Sequence, residues 1–288
     1  MENQHPSPNT DYDCLIFDID DTLYPSSFGL NKLIGQNIIA YIIQKLGIQK
    51  EKASDLSLLL YKHYGTTLAG LRAIGYDIDY EDFHGFVHGQ LAYSDLLKPD
   101  PILRSLLLSL PIRKIAFTNA DAAHASNVLS RLGLEDCFET VICFETLNPN
   151  QNVSGVVNNA SDLAKVLPTG SQDIFDIMGE NVVSSEYPKT PVVCKPSIEA
   201  FELVFNMADI NPQRTLFFDD SVCNIQSGKR VGLHTVLVGK SQKVKGADYA
   251  LESIHNIREA LPELWEALEK TEKVKYTEQV AVETSVRA

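Results

Sequence analysis

The chain lacks several features that would place it in other classes of protein. Its five cysteines are odd in number and include no Cys-x-x-Cys pair, a pattern typical of reduced core thiols. No apolar run is long enough to span a bilayer. The first eleven residues are polar, with two prolines and no apolar stretch of the kind that a secretory signal needs. These absences favour a cytoplasmic protein that does not enter a membrane.

Positive charge is also scarce. Lys and Arg number 25 against 38 Asp and Glu, which gives a formal net charge of -13. This balance argues against a nucleic acid polymer or an anionic membrane as a partner reached by bulk electrostatics. It leaves room for a small anionic substrate, because a metal and a few cations can reverse the field locally. The sequence gives no indication of oligomeric state.

A short apolar strand that ends in carboxylates is the most informative stretch. Cys14–Phe17 is an unbroken apolar run, and Asp18, Asp20 and Asp21 follow it. If the chain stays extended, Asp18 and Asp20 point to the same side; if it turns, one can offer its side chain and the other its backbone carbonyl. Either arrangement crowds anions where open α/β sheets bind ligands, which predicts a cation, and an all-oxygen site suits Mg²⁺. The alternative is an acidic turn without a function.

Strand and helix patterns alternate along the chain, which predicts an α/β protein with a doubly wound parallel sheet and an inserted α-helical cap. Asp121 is placed to cap a helix that stops at Gly133, and Pro262 divides the last helical pattern in two. Later strands are predicted at Lys114–Thr118, Thr140–Phe144, Thr215–Phe218, His234–Val238 and Asp248–Leu251. The predicted division is a disordered tail (1–12), a core domain (13–25 and 98–270) with a flap-like insertion (147–191), a helical cap (26–97) and a second disordered tail (271–288).

Chemically useful side chains follow four of these segments. They are Asp18 and Asp20, Thr118 and Asn119, Lys195 at a helix start, and Asp219 and Asp220. Because parallel strands place their carboxyl ends along one edge of the sheet, we expect these side chains to meet there. Phosphoryl transfer from a small phosphomonoester needs groups of this kind: a carboxylate nucleophile, hydroxyl and amide donors, a cation and a metal.

The expected roles follow from this chemistry. Asp18 attacks phosphorus and becomes an aspartyl phosphate, while Asp20 protonates the departing oxygen and then activates water, which favours a raised pKa for Asp20. Asp18, Asp219 and the backbone carbonyl of Asp20 hold Mg²⁺, and Thr118 and Lys195 hold the phosphoryl oxygens. Supporting positions are predicted for Thr22, Asp220 and Asn224 behind the metal ligands, and for Asn119 at the substrate.

This ordered set resembles the haloacid dehalogenase superfamily over about Asp13 to Leu251. The resemblance implies a Rossmann-like core with a cap between the first and second motifs. True dehalogenases of the superfamily lack the second aspartate, so Asp20 points to phosphate chemistry. The motifs are Asp18-Ile19-Asp20-Asp21-Thr22, Thr118-Asn119, Lys195-Pro196 and Asp219-Asp220-Ser221.

A narrower resemblance is to the pyrimidine 5′-nucleotidase branch, in particular its plant-like members. It implies nucleoside 5′-monophosphates as substrates, with pyrimidines preferred, and Tyr24 and His88 as residues that contact the base or ribose. Packing of the hinge and cap is the alternative role for both. The stretches that carry the resemblance are Asp20–Tyr24, Phe86–Gly89, Phe117–Asp121, Cys143–Thr146 and Phe217–Asn224.

Other functions remain open at this point. One is hydrolysis of a different small phosphate, such as a sugar phosphate or a lysophospholipid. Another is a catalytically idle regulatory or binding protein on the same fold, and a third is a signalling receiver domain. His84 and His88 also have the i, i+4 spacing that can bind zinc, but the sequence shows no third ligand nearby, which favours partly buried cap histidines.

Overall fold

The structure, a computed structural model, describes residues 11–149 and 188–265 of the chain. A six-stranded, all-parallel sheet with helices packed on both faces forms the core, which confirms the predicted α/β class. The strands are β1 (Cys14–Phe17), β2 (Arg113–Phe117), β3 (Thr140–Ile142), β4 (Thr215–Asp219), β5 (His234–Val238) and β6 (Tyr249–Leu251). They lie in the order β3-β2-β1-β4-β5-β6.

Strand β1 lies in the middle of the sheet because all four of its side chains are apolar and buried. Its alternate residues enter different cores: Leu15 and Phe17 pack on one face, Cys14 and Ile16 on the other. A strand buried on both faces needs a neighbour along each edge, and β1 pairs in parallel with β2 and with β4. The carboxyl ends of β1, β2 and β4 therefore lie side by side.

The helices fall into two groups in the described residues. Those between β1 and β2 are α1 (Leu30–Gln44), α2 (Lys50–Tyr64), α3 (Thr67–Ala73), α4 (Tyr80–His88), α5 (Tyr93–Leu96) and α6 (Pro101–Ser109). Those that follow β2 are α7 (Ala122–Leu132), α8 (Phe144–Leu147), α9 (Ile198–Ala208), α10 (Val222–Arg230) and α11 (Ile257–Ala260). Short 3₁₀ turns lie at Ser26–Phe28, Pro212–Arg214 and Ile254–Asn256.

Helices α1 to α5, residues 30–96, form a helical insertion with a hydrophobic core of its own. Apolar side chains of α1 to α4 supply most of this core. Three residues from outside the insertion complete it: Phe144 at the start of α8, and Val192 and Cys194 just before Lys195. The insertion is thus packed against the same segment that carries the predicted active-site lysine.

Several local predictions can be compared with the structure. Asp121 caps α7, whose end is followed by Gly133 at φ 70°, as predicted, and the last helical pattern is interrupted before Pro262. The predicted end of the third strand, at Phe144, was wrong. The strand ends at Ile142, because the Thr146 hydroxyl accepts a hydrogen bond from the backbone N–H of Cys143 and the chain turns into α8.

The domain boundaries stay predictions. Tyr12, which the predicted division assigns to the first tail, is 7% exposed and packs edge-on against His234. Most of the predicted flap (147–191), residues 1–10 and the end of the chain from 266 lie outside the described residues. Within the described residues, four of the free cysteines are buried and Cys223 is exposed. No helix there is long and apolar enough to cross a bilayer.

Candidate active site

The register of the sheet brings the predicted site residues together. Phe17 is paired with Phe218 on one side and Ala116 on the other, so Asp18 lies beside Asp219 at the end of β4. The backbone N–H of Asp18 donates to the Phe218 carbonyl at 2.8 Å. These contacts fix the position of Asp18 between two neighbouring strand ends.

Lys195 is the central cation of this site. Its side chain is 1% exposed, and its ammonium donates to Asp18 Oδ1 at 2.7 Å, to Asp219 Oδ2 at 2.8 Å and to the Phe117 carbonyl at 2.7 Å. Burial alone lowers the pKa of a lysine, but the charges of Asp18 and Asp219 outweigh burial and raise the pKa of Lys195. The ammonium therefore stays charged, and each of its three hydrogen atoms is donated to a protein oxygen.

Asn119 holds the backbone of Lys195 in place. Its Oδ1 accepts from the Lys195 N–H at 2.8 Å, and its Nδ2 donates to the Lys195 carbonyl at 2.9 Å. Both ends of the amide are thus engaged with the protein, and contact of Asn119 with a substrate stays a prediction. Its neighbour Thr118 is 1% exposed and accepts from the Ala120 N–H at 3.0 Å, which leaves the Thr118 hydroxyl hydrogen free to donate.

Three carboxylates form an acidic cluster beside Lys195. Oxygens of Asp18, Asp219 and Asp220 lie within 4.8 Å of one another, so all three carboxylates could hold one cation, and the supporting role of Asp220 behind the ligands stays a prediction. The Thr22 hydroxyl donates to Asp18 Oδ2 at 3.1 Å, and the Asn224 amide donates to both oxygens of Asp219 at 3.0 Å. These bonds orient two of the three carboxylates.

The electrostatics of the cluster fit a hard divalent cation. Burial raises the pKa of Asp18 and of Asp220, and the charges of the neighbouring carboxylates raise both further, against the single opposing charge of Lys195. An excess of buried negative charge with only oxygen ligands is the environment that Mg²⁺ prefers. The residues present therefore fit the predicted ion.

Asp20 is separated from this cluster because the chain turns directly after Asp18. The Leu23 N–H donates to the Ile19 carbonyl at 3.0 Å, and Asp21 has a positive φ of 56°. Of the two arrangements open from the sequence, the structure has the turn. The Asp20 carboxylate accepts from Tyr24 at 2.5 Å and lies 2.8 Å from Nε2 of His124.

The expected raised pKa of Asp20 was wrong for this structure. Burial does raise it, but the charge and hydrogen bond of His124 and the hydrogen bond from Tyr24 dominate, and the pKa falls to about 2. The pKa of His124 is raised: burial lowers it, and the contact with Asp20 more than compensates. The contact between Asp20 and His124 thus favours an ionised Asp20 beside a protonated His124.

Sequence reasoning missed His124, which lies on the far side of Asp20, although it named its neighbour His88. His124 is fully buried, and its Nδ1 lies 2.8 Å from the Tyr93 hydroxyl. His88 is hydrogen-bonded through Nδ1 to Asp121, and its ring centroid lies 4.4 Å from that of His124. The available signal was the position of His124, three residues after a predicted N-cap. A cavity of about 530 Å³ borders these histidines, and Tyr93, Phe144 and Glu145 also line it.

Tyr24 and His88 are each engaged with another site residue. The Tyr24 ring is 2% exposed and stacks at 6.3 Å on Phe28, while its hydroxyl binds Asp20. His88 binds Asp121 from above, across the boundary between the helical insertion and the core. Direct contact of either residue with a base or ribose stays a prediction.

Comparison with known proteins agrees with this geometry. Residues 12–232 match the model of the haloacid dehalogenase-like hydrolases, which is well over half of the chain. The chain belongs to this hydrolase family.

Individual proteins that resemble this chain share a low sequence identity with it. Phosphate metabolism protein 8 of Saccharomyces cerevisiae is 26% identical over 220 residues, which cover 63% of this chain and 68% of that protein. The structure of CbbY from Rhodobacter sphaeroides, in complex with phosphate, is similar with a TM-score of 0.51 and 17% identity, and covers 88% of this chain and 99% of that one. A HAD phosphatase from Thermococcus onnurineus has a TM-score of 0.46 and 20% identity, with 85% and 96% covered.

The helical insertion touches Lys195 at a glycine, and this contact can be tested. Gly65 follows α2 at φ 83°, and a Cβ there would lie 2.2 Å from the Lys195 carbonyl oxygen and 2.3 Å from Pro196 Cδ. Gly47 is the matched control, because it has a φ of 68° but a Cβ there would have nothing within 4 Å.

We expect Gly47→Ala to lower the free energy of unfolding by about 1–2 kcal/mol through backbone strain alone. Gly65→Ala should cost about 1–3 kcal/mol more, since backbone atoms must move apart. Equal costs in urea unfolding would contradict the close contact.

Proposed function

We propose that this chain is a Mg²⁺-dependent phosphomonoester hydrolase that forms an aspartyl phosphate on Asp18. The observation that carries the proposal is the buried ammonium of Lys195, hydrogen-bonded at once to Asp18 and to Asp219. A cation in this position orients a carboxylate nucleophile and also offers positive charge where phosphoryl oxygens gather during transfer.

In the first step, an oxygen of Asp18 attacks phosphorus. A bond forms between Asp18 and phosphorus while the ester P–O bond breaks and its electron pair leaves with the alcohol oxygen. Thr22 holds Asp18 Oδ2, so the carboxylate has a fixed orientation toward the phosphoryl group. Thr118 and Lys195 hold the phosphoryl oxygens in different ways. The Thr118 hydroxyl donates a hydrogen bond, because the Ala120 N–H already fixes its oxygen. The Lys195 ammonium contributes its positive charge, while its hydrogen atoms bind Asp18, Asp219 and the Phe117 carbonyl.

We assign the metal site to Asp18, Asp219 and Asp220, together with the backbone carbonyl of Asp20. When bound, Mg²⁺ would neutralise the clustered carboxylates and part of the phosphoryl charge. Asn224 supports this assignment, since its amide donates to both oxygens of Asp219 and fixes the orientation of that carboxylate beside Asp18 and Asp220. The same neutralisation would favour the ionised form of Asp18, which is the form that attacks.

We assign proton transfer to Asp20 acting with His124. The departing alcohol oxygen needs a proton, and the hydrogen bond between Asp20 Oδ1 and His124 Nε2, which are 2.8 Å apart, provides a route to supply one. In the second step the same pair takes a proton from the water that hydrolyses the aspartyl phosphate. The Tyr93 hydroxyl and Asp121 hold His124 in place through its Nδ1 and its backbone N–H.

For the substrate class, we propose nucleoside 5′-monophosphates with a preference for pyrimidines. The stretches shared with the pyrimidine 5′-nucleotidase branch support this, as does the cavity of about 530 Å³ beside His88 and His124. The name of the yeast relative, Phosphate metabolism protein 8, is in keeping with phosphate chemistry. Tyr24 and His88 are the proposed contacts to the base or ribose, and Asn119 the proposed amide contact to the substrate.

The nucleophile is tested by Asp18→Asn. Because the amide cannot attack phosphorus, we expect kcat to fall by roughly 10³-fold or more with the fold retained. Asp13→Asn is the matched control: Asp13 precedes the other end of β1 and pairs with Arg214 at the surface, so its loss should leave kcat nearly unchanged. Substantial turnover by folded Asp18→Asn, measured with p-nitrophenyl phosphate, would refute the aspartyl phosphate mechanism.

The acid is tested by leaving-group dependence. Asp20→Asn should slow hydrolysis of an alkyl phosphate by about 10²–10⁴-fold, but p-nitrophenyl phosphate much less, because p-nitrophenolate leaves without a proton. Asp21→Asn removes the same charge from the same turn without touching His124, and should affect both substrates alike. A matching loss on both substrates in Asp20→Asn would exclude the acid role.

The substrate class is tested by a phosphate-release screen over nucleoside monophosphates, sugar phosphates and lysophospholipids, with and without Mg²⁺. We expect UMP and CMP to give the highest kcat/KM, and activity to require Mg²⁺. Asp18→Asn prepared in parallel serves as the blank for contaminating phosphatases. Activity on another phosphate with none on nucleotides would discard the nucleotidase assignment and keep the hydrolase one.

A further inference from the structure

We propose that His84, His88 and Asp121 form a second metal site, for a divalent transition-metal ion such as Zn²⁺, which joins the helical insertion to the core. This site is separate from the acidic cluster at Asp18, and it does not depend on which phosphate the protein hydrolyses.

The geometry brings three ligand groups together from two parts of the fold. One ligand atom from each residue lies within 4.8 Å of the other two. His84 and His88 are one helical turn apart on α4, with ring centroids 5.6 Å apart and planes 23° from parallel. Asp121, at the start of α7, supplies the third ligand that the sequence did not show. Its Oδ1 lies 3.6 Å from His84 Nδ1 and is hydrogen-bonded to His88 Nδ1.

His84 provides a second, independent observation. It is 9% exposed, and neither of its ring nitrogens has a hydrogen-bond partner among the described residues. The two neighbouring histidines do have hydrogen-bond partners: His88 is hydrogen-bonded to Asp121, and both ring nitrogens of His124 are hydrogen-bonded. Buried polar groups without a partner are rare in proteins, and a bound ligand is one of their common explanations.

The protonation of His84 suits a metal ligand. Burial lowers its pKa to about 4, so the imidazole is neutral near pH 7 and keeps a lone pair on one nitrogen. Asp121 has its pKa lowered by His88, against the effect of burial, and is ionised. When a cation binds, it takes the place of the hydrogen between His88 Nδ1 and Asp121, His88 is neutral with its one proton on Nε2, and nitrogen and oxygen both become ligands.

The ligand types select the class of metal. Two imidazoles and one carboxylate are a donor set for Zn²⁺ and related transition metals, whereas Mg²⁺ favours oxygen ligands alone. Glu145 adds negative charge near His84 and lines the adjoining cavity of about 530 Å³. The cavity leaves space for a water molecule as a further ligand.

Such a site would fix the position of the insertion over the catalytic residues. His84 and His88 belong to the insertion, while Asp121 caps the helix that carries His124, the partner of Asp20. A metal bound to all three residues would link α4 to the loop that follows Thr118 and Asn119. The expected physical effect is a more stable contact between insertion and core.

The experiment is a binding measurement without substrate. Chelator-treated protein is dialysed against excess Mg²⁺, which occupies the acidic cluster, and then titrated with Zn²⁺ by calorimetry and with Co²⁺ by visible absorption. We expect about one equivalent of Zn²⁺ per chain, a rise in Tm on binding, and Co²⁺ bands typical of mixed nitrogen and oxygen ligands. His84→Gln and Asp121→Asn should each weaken Zn²⁺ binding by about 10-fold or more.

The variants are chosen to keep the fold. Glutamine suits a helix interior, and asparagine caps a helix as well as aspartate does. His63→Gln is the matched control, because His63 is an exposed histidine on α2 and should leave Zn²⁺ binding unchanged. Far-UV circular dichroism checks each protein, and His88→Gln replaces any variant that fails to fold.

Two results would overturn the proposal. One is the absence of Zn²⁺ binding by the wild-type protein in excess Mg²⁺. The other is binding of equal affinity in the wild type and in the folded variants of the cluster. Neither result bears on the hydrolase assignment, because no turnover is measured.

Discussion

The buried ammonium of Lys195 is the interaction on which the rest of the site depends. Taking a charge out of water is costly, and removing one partner of a buried ion pair typically costs about 3–5 kcal/mol. Here the charge is matched by Asp18, Asp219 and the Phe117 carbonyl, which come from three adjacent strands. The parallel order of β2, β1 and β4 is what makes these three oxygens converge. The sheet therefore places all three acceptors of the Lys195 ammonium side by side.

The turn after β1 divides the site into two electrostatic regions. Asp18 faces other carboxylates, which raise its pKa together with burial, whereas Asp20 faces an imidazole, and its pKa is lowered. Two aspartates separated by a single residue thus have opposite environments. That difference is what a mechanism with one nucleophile and one proton carrier requires, and a cation on the Asp18 side would make the contrast larger.

The sequence predicted the parts of this structure that depend on local pattern. The apolar runs gave the strands, and β5 was predicted with its observed bounds. The polar residues after the strands were expected at one edge of the sheet, and Asp18, Lys195 and Asp219 lie in contact there.

What the sequence did not predict depends on contacts between distant segments. The partner of Asp20 is His124, 104 positions away, and no periodicity connects them. The third residue beside His84 and His88 comes from the other side of the boundary between insertion and core. The end of β3 depends on the hydroxyl of Thr146, which accepts the hydrogen bond of the Cys143 N–H in place of a neighbouring strand. Such contacts follow from the way helices pack, which hydrophobic patterns leave undetermined.

The shared core of the insertion has a consequence for its motion. Val192 and Cys194 pack among the side chains of α1 to α4, and the Thr190 hydroxyl donates to the Ala69 carbonyl at 2.7 Å. The insertion is therefore not hinged only at its two covalent connections to the sheet. A swing of the insertion as a rigid body must either break this packing or carry residues 190–194 with it, and those residues lead directly into Lys195. If residues 190–194 move with the insertion, its opening displaces the ammonium of Lys195, and Asp18 loses its counter-charge in the open state.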